Sequence, residues 1–142
     1  MKKLLTLVLA IVLVASLATA SAATKLVIGA SSTPHAEILE AAKDALAAKD
    51  IELDIIIFDD YVQPNLQLDA GDLDANYFQH IPYLEDFCAK EGTKLVSAGA
   101  VHYEPMGIYT NLAKAYTIDT IPEKAVIAVP NDPTNEARAL NL

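Results

Sequence analysis

Two kinds of hydrophobic pattern alternate along the chain. Lys25–Ala30 (KLVIGA) and Glu52–Phe58 (ELDIIIF) are short solid apolar runs, the second rich in β-branched residues. Such runs predict strands covered on both faces. Between them, Ile38, Leu39, Ala42, Ala45 and Leu46 recur at helical spacing and predict an amphipathic helix over 34–49. Thr33 and Pro34 read as its N-cap and first-turn proline, and Glu37 and Glu40 lie near the positive end of its dipole. Tyr61–Ala70 predicts a short helix with Pro64 near its start and Gly71 as its stop. Leu73–Phe78 is a weaker strand. Pro82–Glu91 is a helix that turns Leu84, Phe87 and Cys88 inward and is closed by Gly92. Leu95–Val101, Met106–Tyr109 and Ala125–Val129 (AVIAV) predict further strands, and Asp132-Pro133 caps and opens a last helix. Residues 111–124 are polar and weakly patterned, a linker or a short helix. Strand and helix alternate throughout, which predicts an α/β fold with a largely parallel sheet.

The N-terminus belongs to a different class. Lys2 and Lys3 precede an apolar run from Leu4 to Leu17, and Ala18-Thr19-Ala20 or Ala20-Ser21-Ala22 supplies small residues for cleavage. This reads as a secretory signal peptide over 1–22, because the run is shorter than the roughly 20 residues that span a bilayer. The segment carries two lysines and no acid. Without it, the 10 basic and 19 acidic residues of the chain become 8 and 19, a net charge of −11. A chain so acidic is a poor ligand for nucleic acid, whose binding depends on Lys and Arg neutralising phosphates. The remaining 120 residues suffice for one core. Cys88 is the only cysteine, so no intrachain disulfide is expected, and it reads as a small buried hydrophobe.

Ligands of open α/β sheets bind beyond the carboxyl ends of strands. Four clusters fall there: Ser31–His35, Asp59–Tyr61, Tyr77–His80 and Asn131–Arg138. Arg138 is the only arginine, and a guanidinium grips a carboxylate with two parallel hydrogen bonds. Asn135 lies three residues earlier on the same helix face. The plainer reading of Arg138 is a surface arginine paired with a nearby acid. His35, His80 and His102 lack the tight spacing of a metal site, and Cys88 has no activating partner in the sequence. No metal, cofactor or nucleophilic chemistry is therefore expected. Tyr61, Phe78 and Tyr83 read either as core aromatics or as pocket walls, and Phe78 and Tyr83 flank His80.

Taken together, PHAEILE (34–40), DYVQPN (60–65), LDANYFQHIPYL (73–84), VHYEPMG (101–107) and VPNDPTNEARAL (129–140) resemble the NlpA/MetQ family. These are substrate-binding lipoproteins of methionine-type ABC importers. The resemblance implies a type 2 periplasmic-binding-protein fold whose two lobes close around a free amino acid, usually methionine. Residues 23–105 would be the first segment of lobe one and 106–142 an incomplete start of lobe two. The implied ligand-binding residues are Tyr61, Phe78, His80, Tyr83, Asn135 and Arg138. Arg138 takes the carboxylate, Asn135 the polar head, the rings pack the side chain, and His80 orients or covers it. None of these roles breaks a bond, so the implied protein is not an enzyme. Its implied partners are the amino acid and an importer permease. Membrane contact would run through the permease or a lipid anchor, although the cleavage region holds no lipobox cysteine, which favours a freely soluble extracytoplasmic form.

Two further departures bear on binding. Where the family carries glycine before the arginine, this sequence has Glu136-Ala137, which puts a negative charge near the expected carboxylate. The family also runs to roughly twice this length, so the 142-residue chain by itself is expected to bind methionine weakly or not at all. The alternative is a truncated paralogue without transport activity, acting as an envelope interaction protein.

Overall fold

The computed structural model describes residues 22–111, 113, 114 and 116–142; the signal segment lies almost entirely outside them. Strand β1 (Thr24–Ser31) leads through Ser32–Ala36 into α1 (Glu37–Ala47). β2 (Ile51–Phe58), α2 (Gln63–Ala70), β3 (Ala75–Tyr77) and α3 (Ile81–Glu91) follow, then a short 3-10 turn at Ile118–Thr120 and α4 (Pro133–Leu140). The chain divides into two compact units, the first ending at Phe78 and the second running from Gln79 to Leu142.

In the first unit β1 is the central strand, with β2 and β3 on either side in the order β2-β1-β3, and both pairings are parallel. The solid apolar run of β1 fits this position, with Ala30 fully buried. β2 is the edge, and there Ile56 and Ile57 are exposed although the sequence reads as doubly covered. Helix α1 packs on β2, and α2 packs on β3 and β1. Gly29 allows a close approach. A Cβ at this position would stand 2.7 Å from Leu73 Cδ1 and 2.9 Å from the Phe58 ring.

Helix stops follow the glycines. Gly71 and Gly92 adopt the left-handed conformation with φ of 84° and 74°, which a side chain would disfavour. The start of α1 departs from its expected form. Thr33 is extended (φ −136°, ψ 132°) and its hydroxyl donates to the Glu37 carboxylate at 2.7 Å. It therefore caps nothing, and the regular helix begins at Glu37. Asp60 serves α2 instead, its Oδ1 accepting from the N–H groups of Val62 and Gln63, both at 2.8 Å. Asn65 is fully buried, and its Oδ1 accepts from Asn76 Nδ2 at 2.8 Å, a polar tie between α2 and β3.

In the second unit α3 and α4 pack together, and α3 contributes Tyr83, Leu84 and Phe87 to the core. The three strands expected at 95–101, 106–109 and 125–129 are not present as strands. A strand exists only through the ladder to its neighbour, and among the described residues none of these segments enters one. Most of their apolar side chains are open to solvent, Val96 at 85% and Val126 at 99% exposure, while Leu95 and Met106 are partly covered. No helix among the described residues is long and apolar enough to cross a membrane.

Candidate ligand-binding residues

The strand and helix ends place the candidate residues in two groups, one in each unit. In the first unit, Tyr61 follows β2 and Phe78 follows β3. Their ring centroids lie 5.8 Å apart at 37°, a tilted pair within the usual aromatic range. Phe78 is buried (9% exposed), whereas Tyr61 is open (51% exposed). The cluster after β1 also closes on itself. His35 Nδ1 is 2.6 Å from Ser31 Oγ, and its ring meets Tyr77 edge-on at 4.7 Å. His35 is thus a buried, hydrogen-bonded packing residue.

In the second unit, α4 begins as its sequence predicts. Asp132 is extended and accepts from the Asn135 N–H at 2.9 Å, with Pro133 in the first turn. The same carboxylate accepts from Thr134 Oγ1 at 2.7 Å and, through Oδ2, from Asn135 Nδ2 at 2.9 Å. Asn135 Oδ1 accepts from Arg138 Nη1 at 3.1 Å, and Arg138 Nη2 donates to the Glu104 carbonyl at 2.9 Å. Arg138 is therefore held from two sides by neutral oxygens and forms no ion pair with a carboxylate among the described residues. The plain reading of a surface arginine paired with an acid does not hold. Glu136 is exposed, and helical geometry turns it about 160° from Arg138, against about 60° for Asn135. Its charge therefore faces away from the guanidinium.

His80 is the N-cap residue of α3, and its carbonyl accepts from the N–H groups of Tyr83 and Leu84 at 3.1 Å. Its Nε2 is covered from solvent yet has no hydrogen-bond partner among the described residues. Burial lowers its pKa from the ordinary 6.5. The positive charge of Arg138 lowers it further, and Asp132 opposes the shift. The Asp132 carboxyl shows the opposite balance. Burial pushes it up, but the hydrogen bonds from Thr134 and Asn135, with the His80 charge, hold it below 3.8.

These shifts set the sign of a pH effect. A lowered His80 pKa means the fold prefers neutral imidazole, so stability falls as pH drops below 6.5 and levels off below the folded value. The Asp132 contribution is present above 3.8 and is lost only as pH falls through the lower folded value. Urea midpoints are therefore expected to fall between about pH 7 and about pH 5, and His80→Gln to flatten that fall. An unchanged slope in His80→Gln would assign the effect elsewhere.

Tyr83 takes a different place from its partners. It is 8% exposed on the packed face of α3, its ring 6.2 Å from that of Phe87. An open cleft of about 410 Å³ lies on the second unit, lined by Tyr103, Pro105, Met106, Ala137 and Arg138 among others. Arg138 reaches it, but His80 and Asn135 do not line it. Sequence reasoning missed two parts of this cluster. The Glu104 carbonyl is a backbone group with no side-chain signal, and Asp132 was legible only as a helix cap.

The first unit is thus a parallel α/β sheet with aromatic groups at its strand ends, and the second holds an arginine at a helix start. The comparisons with known proteins narrow this. The sequence profile of the NlpA lipoprotein family matches residues 26–142, and the chain belongs to that family. It is 44% identical over 118 residues to the methionine-binding lipoprotein MetQ of Bacillus subtilis, an alignment covering 82% of this chain and 42% of that one. A nutrient-binding protein from Burkholderia cenocepacia, solved bound to methionine, superposes with a TM-score of 0.75 at 43% identity, covering 82% of this chain and 48% of that one. Lipoprotein Tp32 of Treponema pallidum superposes with a TM-score of 0.78 at 41% identity, with coverages of 83% and 48% respectively. The fold is thus that of the NlpA/MetQ substrate-binding proteins, and the chain spans about half the length of the relatives it matches.

Proposed function

We propose that the chain is the amino-terminal part of an extracytoplasmic receptor that binds a free amino acid, methionine or a close relative, and delivers it to an ABC importer. The observation that carries this reading is the state of Arg138. Its guanidinium is fixed by Asn135 and Glu104 but not neutralised by a carboxylate among the described residues. A fixed, unneutralised guanidinium is suited to donate two parallel hydrogen bonds to a ligand carboxylate.

In this reading Arg138 anchors the carboxylate and Asn135 stands at the polar head. His80, its pKa lowered by burial and by Arg138 and its Nε2 without a hydrogen-bond partner among the described residues, orients or covers the ligand. Tyr61, Phe78 and Tyr83 supply aromatic surface for a thioether, where sulfur–ring contacts contribute roughly 0.3–1.5 kcal/mol each. Residues 1–22 direct export, 23–105 form the first segment of lobe one and 106–142 open lobe two. The protein binds and releases its ligand without chemistry on it, and meets the membrane through the permease or a lipid anchor. The test is a calorimetric titration of the full-length protein, the two-lobe receptor of which this chain is proposed to be the amino-terminal part, with a panel of amino acids. Selective binding of methionine supports the reading.

A further inference from the structure

Asp132 does more than start a helix. A carboxylate and a guanidinium that share a hydrogen-bonding neighbour could pair directly, as charge-assisted hydrogen bonds are the strong ones. Here Asn135 stands between them. Asp132 Oδ2 takes Asn135 Nδ2 at 2.9 Å, which fixes the way the amide faces and leaves Oδ1 to accept from Arg138 at 3.1 Å. Oδ1 of the same carboxylate is occupied by Thr134 and by the Asn135 N–H. Among the described residues the carboxylate thus bonds to Thr134 and Asn135 and not to the guanidinium.

We propose that Asp132 is a positioning residue that aims Arg138 at the ligand carboxylate through Asn135, without neutralising it. The inference rests on the reading of Arg138 as the carboxylate anchor. It has a sign that simple electrostatics lacks. As a bare negative charge, Asp132 repels the ligand carboxylate, and removing the charge tightens binding. As a positioning group, removing it loosens Arg138 and weakens binding.

Asp132→Asn separates the two. Asparagine still caps α4 by accepting from the Asn135 N–H, but its amide nitrogen cannot accept from Asn135 Nδ2. The measurement is L-methionine affinity of the full-length protein by calorimetry, for Asp132→Asn, Arg138→Ala and the double variant. The expected result is about tenfold weaker binding in Asp132→Asn, with little further loss when it is added to Arg138→Ala. Unchanged or tighter binding in Asp132→Asn, or losses that simply add, would overturn the positioning role. If Arg138→Ala itself keeps full affinity, the anchor reading fails, and that outcome is distinct from a failure of Asp132 alone. Asp132→Ser, which also caps a helix but lacks the second oxygen, repeats the test should Asp132→Asn fold poorly.

Discussion

Arg138→Ala is expected to weaken methionine binding by about 100-fold or more, because two charge-assisted hydrogen bonds of roughly 1.5–3 kcal/mol each are lost at once. Lysine at this position is expected to recover only part of the loss, since a point charge cannot reproduce the fork that meets both carboxylate oxygens. The fold should be little affected. Arg138 makes its two hydrogen bonds at the end of the network, to Asn135 and the Glu104 carbonyl, whereas the helix start is held by Asp132. A thermal melt without ligand therefore separates lost binding from lost structure. Full retention of the ligand-induced shift in Arg138→Ala would remove the carboxylate assignment.

The second large effect concerns stability. Phe87 is buried at 7% exposure on α3, beside Tyr83 and Leu84. Truncation to alanine is expected to cost about 3–5 kcal/mol, the lost transfer energy plus the cavity left behind. Against a typical total of about 5–15 kcal/mol this is a large fraction. Urea unfolding of Phe87→Ala should show a much lower midpoint. Because α3 packs on α4, the same change is expected to loosen the helix that carries Arg138. A midpoint close to that of the parent would mean that this side chain is not part of the core.

What the sequence made legible was local. Gly71 and Gly92 stop their helices because the left-handed turn needs no more than one residue without a Cβ. Asp132 and Pro133 start α4 because cap and first turn are neighbours in the chain. β1 and β2 were readable as apolar runs and β3 as part of a weaker strand, and their parallel direction follows from the helices between them. The segments around Val96 and Val126 read equally well as strands, yet pairing is a non-local property, and among the described residues no ladder forms there. Thr33 has the composition of a cap, but its hydroxyl goes to Glu37.

The candidate residues divide in the same way. Asn135 and Arg138 share a face by spacing alone, and the structure adds that they touch. That His80 feels the charges of Arg138 and Asp132 depends on how α3 and α4 pack within the second unit, which no spacing reports. Glu136 neighbours Arg138 in sequence, and two residues of helix turn it about 160° from the guanidinium. Asp132 was visible for one oxygen and hidden for the other, whose partner is a side chain.

The central claim is that this chain carries part of an amino-acid receptor, with Arg138 at its anchor. Calorimetric titration of L-methionine into the purified two-lobe receptor that contains this chain tests it most directly. The account predicts saturable one-to-one binding at about micromolar affinity or tighter; no measurable binding of methionine or any other free amino acid at millimolar concentration would contradict it.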